Sequence, residues 1–162
     1  MPPKKEAPAP ASAPEPAQAP EENIGTIQKG RFVFVDDSVY DGEYIEVSGS
    51  KKLRHGQGTF ISNGSYEKYI GNWKDDMMNG EGEYTFSSGA IYKGSFKDNL
   101  FDGIGEYVFA DGSRYTGEWK SNKMHGVGEY IDIDNVSWKG NYFNGLFNSG
   151  KTLMTINPRQ MF

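Results

Sequence analysis

The sequence predicts an all-β protein: an elongated, single, twisted antiparallel sheet of stacked β-hairpins behind a disordered Pro/Ala-rich N-terminal tail. Three observations lead there. Glycine (21 residues) and aromatics (14%) are abundant together, and interior glycine costs a helix about 1 kcal/mol against alanine. Polar and apolar residues alternate with period two, the pattern of half-buried strands. A glycine–aromatic phrase also recurs every 23 residues through the second half of the chain, and such a repeat is the first thing to look for in a sequence.

The elements follow in chain order. Residues 1–28 hold seven of the eight prolines, interleaved with alanine, and cannot bury a core. Lys4 and Lys5 in this tail serve solubility or a flexible tether to a partner. Residues 29–145 form the array. It opens with a half repeat at 29–39, where Gly30-Arg-Phe32-Val-Phe34 matches Gly105-Glu-Tyr107-Val-Phe109. A loose copy starts at Tyr40-Asp-Gly42-Glu-Tyr44 and continues as Gly56-Gln-Gly58-Thr-Phe60, its first turn expected to be lengthened by the insertion Ile45–Arg54. Three regular copies start at Tyr69-Ile-Gly71-Asn-Trp73, Tyr92-Lys-Gly94-Ser-Phe96 and Tyr115-Thr-Gly117-Glu-Trp119. Their second blocks are Gly80-Glu-Gly82-Glu-Tyr84, Gly103-Ile-Gly105-Glu-Tyr107 and Gly126-Val-Gly128-Glu-Tyr130. A closing half repeat, Trp138-Lys-Gly140-Asn-Tyr142, lacks a second block, and 146–162 read as a C-terminal tail.

Alternation places Tyr92, Gly94 and Phe96 on one face and Lys93, Ser95 and Lys97 on the other. The linkers Lys97–Asp102 and Ala110–Ser113 are expected to be turns, and Asp111-Gly112 and Asn63-Gly64 are dipeptides that tolerate φ > 0. Glycine weakens a strand, so its place beside aromatics implies that rings of neighbouring strands lie over bare backbone. About ten strands at ~4.8 Å spacing make a rod ~43 Å long and ~20 Å wide. With no helix to cover the aromatic face, the sheet must curl on itself or leave a groove.

The pattern Y-x-G-x-[WF], then G-x-G-x-Y, at this period resembles the membrane occupation and recognition nexus (MORN) repeat. Within that family, Ser88-Gly-Ala-Ile-Tyr92, Phe96-Lys-Asp-Asn99 and Gly128-Glu-Tyr130 followed by Trp138-Lys-Gly140 are most similar to small MORN proteins of ciliated organisms. The resemblance implies a non-catalytic scaffold and docking module among proteins of a large assembly. It also implies a cytoplasmic, cytoskeletal location in the axoneme of a cilium or flagellum. Membrane or phosphoinositide tethering, and service as the non-catalytic arm of an enzyme complex, are the alternatives the family offers.

Composition restricts the other readings. The net charge is −5, so neither a nucleic acid nor an acidic membrane is the expected partner. The chain has no cysteine, hence no thiolate metal site or disulfide framework. The segment MPPKKEAPAP lacks an apolar core and is not expected to act as a secretory signal, and Pro2 excludes myristoylation. No apolar run reaches transmembrane length.

No catalytic, cofactor-binding or metal-binding residue stands out, and no cofactor is expected. His55 and His125 take repeat-equivalent places in the expected turns, where Asn79 and Asp102 sit in other copies. The series Glu83, Glu106, Glu129 and Lys74, Lys97, Lys120 are also equivalent, and exposed ladders of this kind contribute ~0–1 kcal/mol per pair. The glycines of Gly126-Val-Gly128 precede another strand, where a phosphate loop would need a helix. Three candidate surfaces remain. The rings Tyr69, Trp73, Tyr92, Phe96, Tyr115 and Trp119 would anchor a partner unless curling buries them. The opposite face grows apolar toward the C-terminus, from Glu81 to Ile104 to Val127, joined by Ile131, Ile133 and Phe143, and a contiguous patch there would need a partner or the tail Lys151–Phe162 to cover it. The weak cluster Lys51, Lys52 and Arg54 is the candidate contact for an anionic surface.

Overall fold

A computed structural model describes residues 26–47 and 50–155. The expected disorder of the N-terminal tail concerns residues that lie almost wholly outside this range. Among the described residues there is no helix, and twelve strands form one sheet in strict chain order. They are β1 Gln28–Val33, β2 Val39–Val47, β3 Lys51–Ile61, β4 Lys68–Lys74, β5 Met77–Thr85, β6 Ile91–Lys97, β7 Leu100–Val108, β8 Arg114–Lys120, β9 Lys123–Ile131, β10 Ser137–Phe143, β11 Leu146–Asn148 and β12 Leu153–Met154. Every neighbouring pair is antiparallel. The sheet thus runs two short strands beyond the half repeat.

The register aligns the repeat. Gly30, Gly42, Gly58, Gly71, Gly82, Gly94, Gly105, Gly117, Gly128 and Gly140 stand opposite one another in an unbroken ladder across ten strands. Two residues along runs an aromatic ladder: Phe32, Tyr40, Phe60, Tyr69, Tyr84, Tyr92, Tyr107, Tyr115, Tyr130 and Trp138. The glycines let the rings lie flat. A methyl group on Gly58, Gly82, Gly105 or Gly128 would stand 2.5–2.7 Å from ring carbons of Tyr40, Tyr69, Tyr92 or Tyr115, respectively.

Two kinds of turn join the strands. One edge carries two-residue turns, Asp75-Asp76, Asp98-Asn99, Ser121-Asn122 and Asn144-Gly145, with both residues at positive φ. That is the type I′ geometry whose twist matches antiparallel strands. The turn in the third repeat is therefore Asp98-Asn99 alone, shorter than the expected Lys97–Asp102, because strand pairing continues to the last possible residue. The other edge carries mostly three-residue turns; between β3 and β4 Ser62 N–H instead donates to Glu67 O across four residues. In the three-residue turns Phe86 N–H donates to Ala90 O and Phe109 N–H donates to Ser113 O, with Gly89 and Gly112 at positive φ. The insertion Ile45–Arg54 lengthens strands, not the turn: Tyr44, Ile45, Glu46 and Val47 pair with Arg54, Leu53, Lys52 and Lys51.

Candidate docking surfaces

Each regular repeat bends at one place. Between Gly71 and Trp73, Gly94 and Phe96, and Gly117 and Glu118 the register shifts, a bulge that re-aims the strand. The repeat tyrosine closes it. Tyr69 Oη donates to Asn72 O at 2.8 Å, Tyr92 Oη to Ser95 O at 2.9 Å and Tyr115 Oη to Glu118 O at 3.0 Å. A phenylalanine could fill the space but would leave that carbonyl without this donor, which is why the position calls for tyrosine. The indoles act similarly, Trp73 Nε1–H donating to Gly58 O and Trp119 Nε1–H to Gly105 O.

The six rings offered as partner anchors are enclosed. Tyr69, Trp73, Tyr92, Phe96, Tyr115 and Trp119 are 0–5% exposed. This corrects the groove expectation. Laid over glycine, the rings cover each other edge to face: Tyr69–Trp73 at 5.0 Å and 90°, Tyr92–Phe96 at 5.1 Å and 88°, Tyr115–Trp119 at 5.2 Å and 89°. Such pairs contribute about 0.5–1.5 kcal/mol beyond burial. At Tyr92 a second ring, Phe101, stacks face to face at 3.7 Å and 11°, so the sheet's own side chains close the core without a second sheet or a helix. Burial raises the phenol pKa values: Tyr40, Tyr84 and Tyr142 are pushed up to about 12, with the Glu67 carboxylate adding to the effect at Tyr84. Tyr69, Tyr92, Tyr107 and Tyr115 move the same way for the same first cause, loss of water.

A second device, invisible in the composition, links successive hairpins. The last residue of each two-residue turn reaches back to the previous hairpin. Asn99 N–H donates to Met78 O at 3.0 Å while Asn99 Oδ1 accepts from Met78 N–H at 2.8 Å. Asn122 does the same with Phe101, and Asp76 with Arg54. Gly145 keeps only the backbone half, donating to Met124 O.

The opposite, polar face carries the remaining candidates. Ile104, Val127 and Phe143 are 61%, 60% and 54% exposed. They share the face without merging: Glu118 pairs with Ile104 and Glu118 Oε1 accepts from Val127 N–H at 2.9 Å, so a carboxylate lies between the apolar residues. Ile131 is half-buried at the end of β9, and Ile133 projects from the turn beyond it. The expected contiguous patch is thus a mosaic of apolar points and charges. Among the described part of the C-terminal tail, Lys151, Thr152 and Leu153 border a shallow recess beside Phe143, while Leu153 and Met154 stay exposed. Residues 156–162 lie outside the described range.

The basic cluster does not hold together. Lys52 Nζ lies 5.4 Å from the Phe32 ring centroid and 5.2 Å from that of Tyr44, on the aromatic face. Arg54 stacks 4.0 Å over Trp73, and its Nε donates to Asp76 Oδ1. Strand alternation sends Lys51 to the other face. The three cations are thus divided between the two faces, with Arg54 engaged by Trp73 and Asp76 while Lys51 and Lys52 stay exposed. The histidines lie in strands β3 and β9, not in turns. His55 Nδ1 is 3.5 Å from Asp75 Oδ1. The equivalent Asn79 donates to Asp98 Oδ1 at 3.0 Å, so His55 occupies a polar position of the repeat, although its Nδ1 makes no hydrogen bond.

Stacked hairpins with an aromatic core laid over a glycine ladder define a repeat module. The MORN repeat family profile matches residues 50–66, 69–91, 92–114 and 115–136, together just over half of the chain. The chain belongs to the MORN repeat family, whose repeats are non-catalytic modules of protein or membrane interaction. The three later matches begin at Tyr69, Tyr92 and Tyr115, in phase with the 23-residue recurrence. No curated protein matches the chain.

Proposed function

We propose that this protein is a non-catalytic architectural spacer and protein-docking module in an axonemal assembly of cilia or flagella, of radial-spoke or central-apparatus type. The observation that carries the spacer role is the reciprocal turn link at Asp76, Asn99 and Asn122. Joined to continuous strand pairing, it ties each hairpin to the one before and suits the array to holding two ends at a fixed distance. Exposed Ile104, Val127 and Phe143 supply apolar contacts on the polar face. The axonemal setting rests on the resemblance of Ser88–Trp138 to the small MORN repeat-containing protein 2 of ciliated organisms. Affinity purification from ciliated cells, with mass spectrometry, is the test. Axonemal proteins are expected with the wild-type chain and are expected to be lost with Val127→Lys plus Phe143→Ser, changes at exposed sites that leave the isolated chain folded. Recovery of vesicle proteins and lipid kinases, unaffected by those changes, would replace this reading with the membrane one.

A further inference from the structure

We propose that the half-open edge of β10, Ser137–Gly140, is a docking slot for one strand of a partner protein, a strand reading glycine, acidic residue, aromatic, β-branched residue. This deepens the docking reading and rests on it only for the premise that the chain works through protein contacts.

Strand β11 pairs with Asn141, Tyr142 and Phe143 and goes no further. The reason lies in two positions. Counting one repeat on from Gly126 and Gly128 gives Ser149 and Lys151. Gly126 has φ +56, and Gly128 sits under the Tyr115 ring with no room for a Cβ. Lys151 would meet Trp138 in the same way, so the chain turns at Ser149–Thr152 and returns as β12 on the far side of β11. Among the described residues no strand pairs with Ser137–Gly140 on that side.

The edge is set up to accept one. Asp132 N–H donates to Val136 O, so Val136 and Trp138 direct their peptide groups to β9, and Ser137 and Lys139 direct theirs outward. Their equivalents one repeat earlier, Arg114 and Thr116, face β9 and pair with Ile131 and Glu129. Trp138 is half-buried where Tyr40, Tyr69, Tyr92 and Tyr115 are at most 1% exposed, so one covering neighbour is lacking. Charge specifies the occupant. On the polar face Glu83 pairs with Lys93, 3.8 Å away, and Lys93 also stands opposite Glu106. Lys139 ends this row. Its neighbour Glu129 accepts from the Ser137 hydroxyl at 2.6 Å, and Lys139 is exposed, with no ion pair among the described residues. An acidic residue on the incoming strand completes the row.

A second copy of this chain fits the shape but not the charge. Its β1 offers Gly30-Arg31-Phe32-Val33, with Arg31 outward, and in the register that extends the glycine ladder Arg31 meets Lys139. Like charges directly opposite are destabilising, so the slot selects against head-to-tail joining of copies, which would give open filaments.

The test uses the full chain and a blocked synthetic peptide carrying residues 128–133 of this sequence. Amide NMR shifts are read while the peptide is titrated to about 1 mM, a range that reports weak binding. Shifts confined to Ser137–Gly140 and its neighbours are expected. Lys139→Glu should weaken binding about fivefold to tenfold, as reversal of a cross-strand pair does, and a peptide with lysine in place of its glutamate should restore it. Absence of shifts, or binding indifferent to the charge exchange, overturns the proposal. Concentration-dependent self-association of the chain that Arg31→Glu strengthens would also overturn it, by making the occupant a second copy. None of these outcomes touches the polar-face contacts tested above, so the two readings fail separately.

Discussion

A single atom decides the identity of several residues. Gly105 has no Cβ because the Tyr92 ring lies where it would be, 2.6 Å from ring carbon Cζ. Its backbone is not at positive φ, so the demand is one of space alone. Gly105→Ala should therefore cost about 1–3 kcal/mol as overpacking, read as a lower urea midpoint. In a Tyr92→Leu background the same change should cost much less, since the obstructing ring is gone. Equal costs in both backgrounds would mean that the glycine is required for some other reason. Tyr92→Phe should by itself cost about 1 kcal/mol, the value of the hydroxyl's bond to Ser95 O.

At the scale of the element, the hairpins whose turns hold Asp76, Asn99 and Asn122 are each tied to their predecessor by a side-chain oxygen as well as by strand pairing. Asn99→Gly keeps positive φ available but removes the acceptor for Met78 N–H. It should cost about 1 kcal/mol, whereas Asn99→Asp, which copies Asp76, should change little. The converse change is available at the C-terminal end. Gly145 has φ +85 and lacks the oxygen, so Gly145→Asn should stabilise the last hairpin by up to about 1 kcal/mol. Hydrogen exchange resolves the effect by element: β10 and β11 should exchange faster than β6 to β8 in the wild type and slow selectively in Gly145→Asn. A uniform exchange pattern along the array would refute the hairpin-by-hairpin account.

For the whole molecule, the buried tyrosines set an alkaline limit. In the unfolded chain a phenol ionises near 10.0, whereas Tyr40, Tyr84 and Tyr142 hold their protons to about 12 and four others are shifted the same way. Above pH 10 the unfolded state therefore binds fewer protons than the folded state, and stability falls as pH rises. The contribution is complete below pH 10 and is lost progressively as pH climbs through about 12. Thermal midpoints measured across that interval should fall steeply, with tyrosinate absorbance appearing together with unfolding. A flat midpoint up to pH 12 would show that the rings are not sealed in solution. Because the rings belong to one continuous core along the array, the loss should extend over the whole sheet and not stay at one end.

The 23-residue recurrence determined the repeat, the strands and their alternation, because strand faces follow from period two and hairpins from their turn dipeptides. It also placed glycine under aromatic rings, since no other residue leaves that space. Register, and everything that depends on it, was decided only in three dimensions. Whether Trp73 and Phe96 were exposed turned on how far each ring could lie down over the next strand. The link from Asn99 to Met78 joins residues 21 apart and follows no local rule. The cluster Lys51, Lys52 and Arg54 looked continuous along the chain, yet pleating divided it between two faces and Asp76 claimed Arg54. The half-open edge at Ser137–Gly140 has the same origin: the missing glycines at 149 and 151 are written in the chain, but only strand pairing shows which neighbour they leave uncovered.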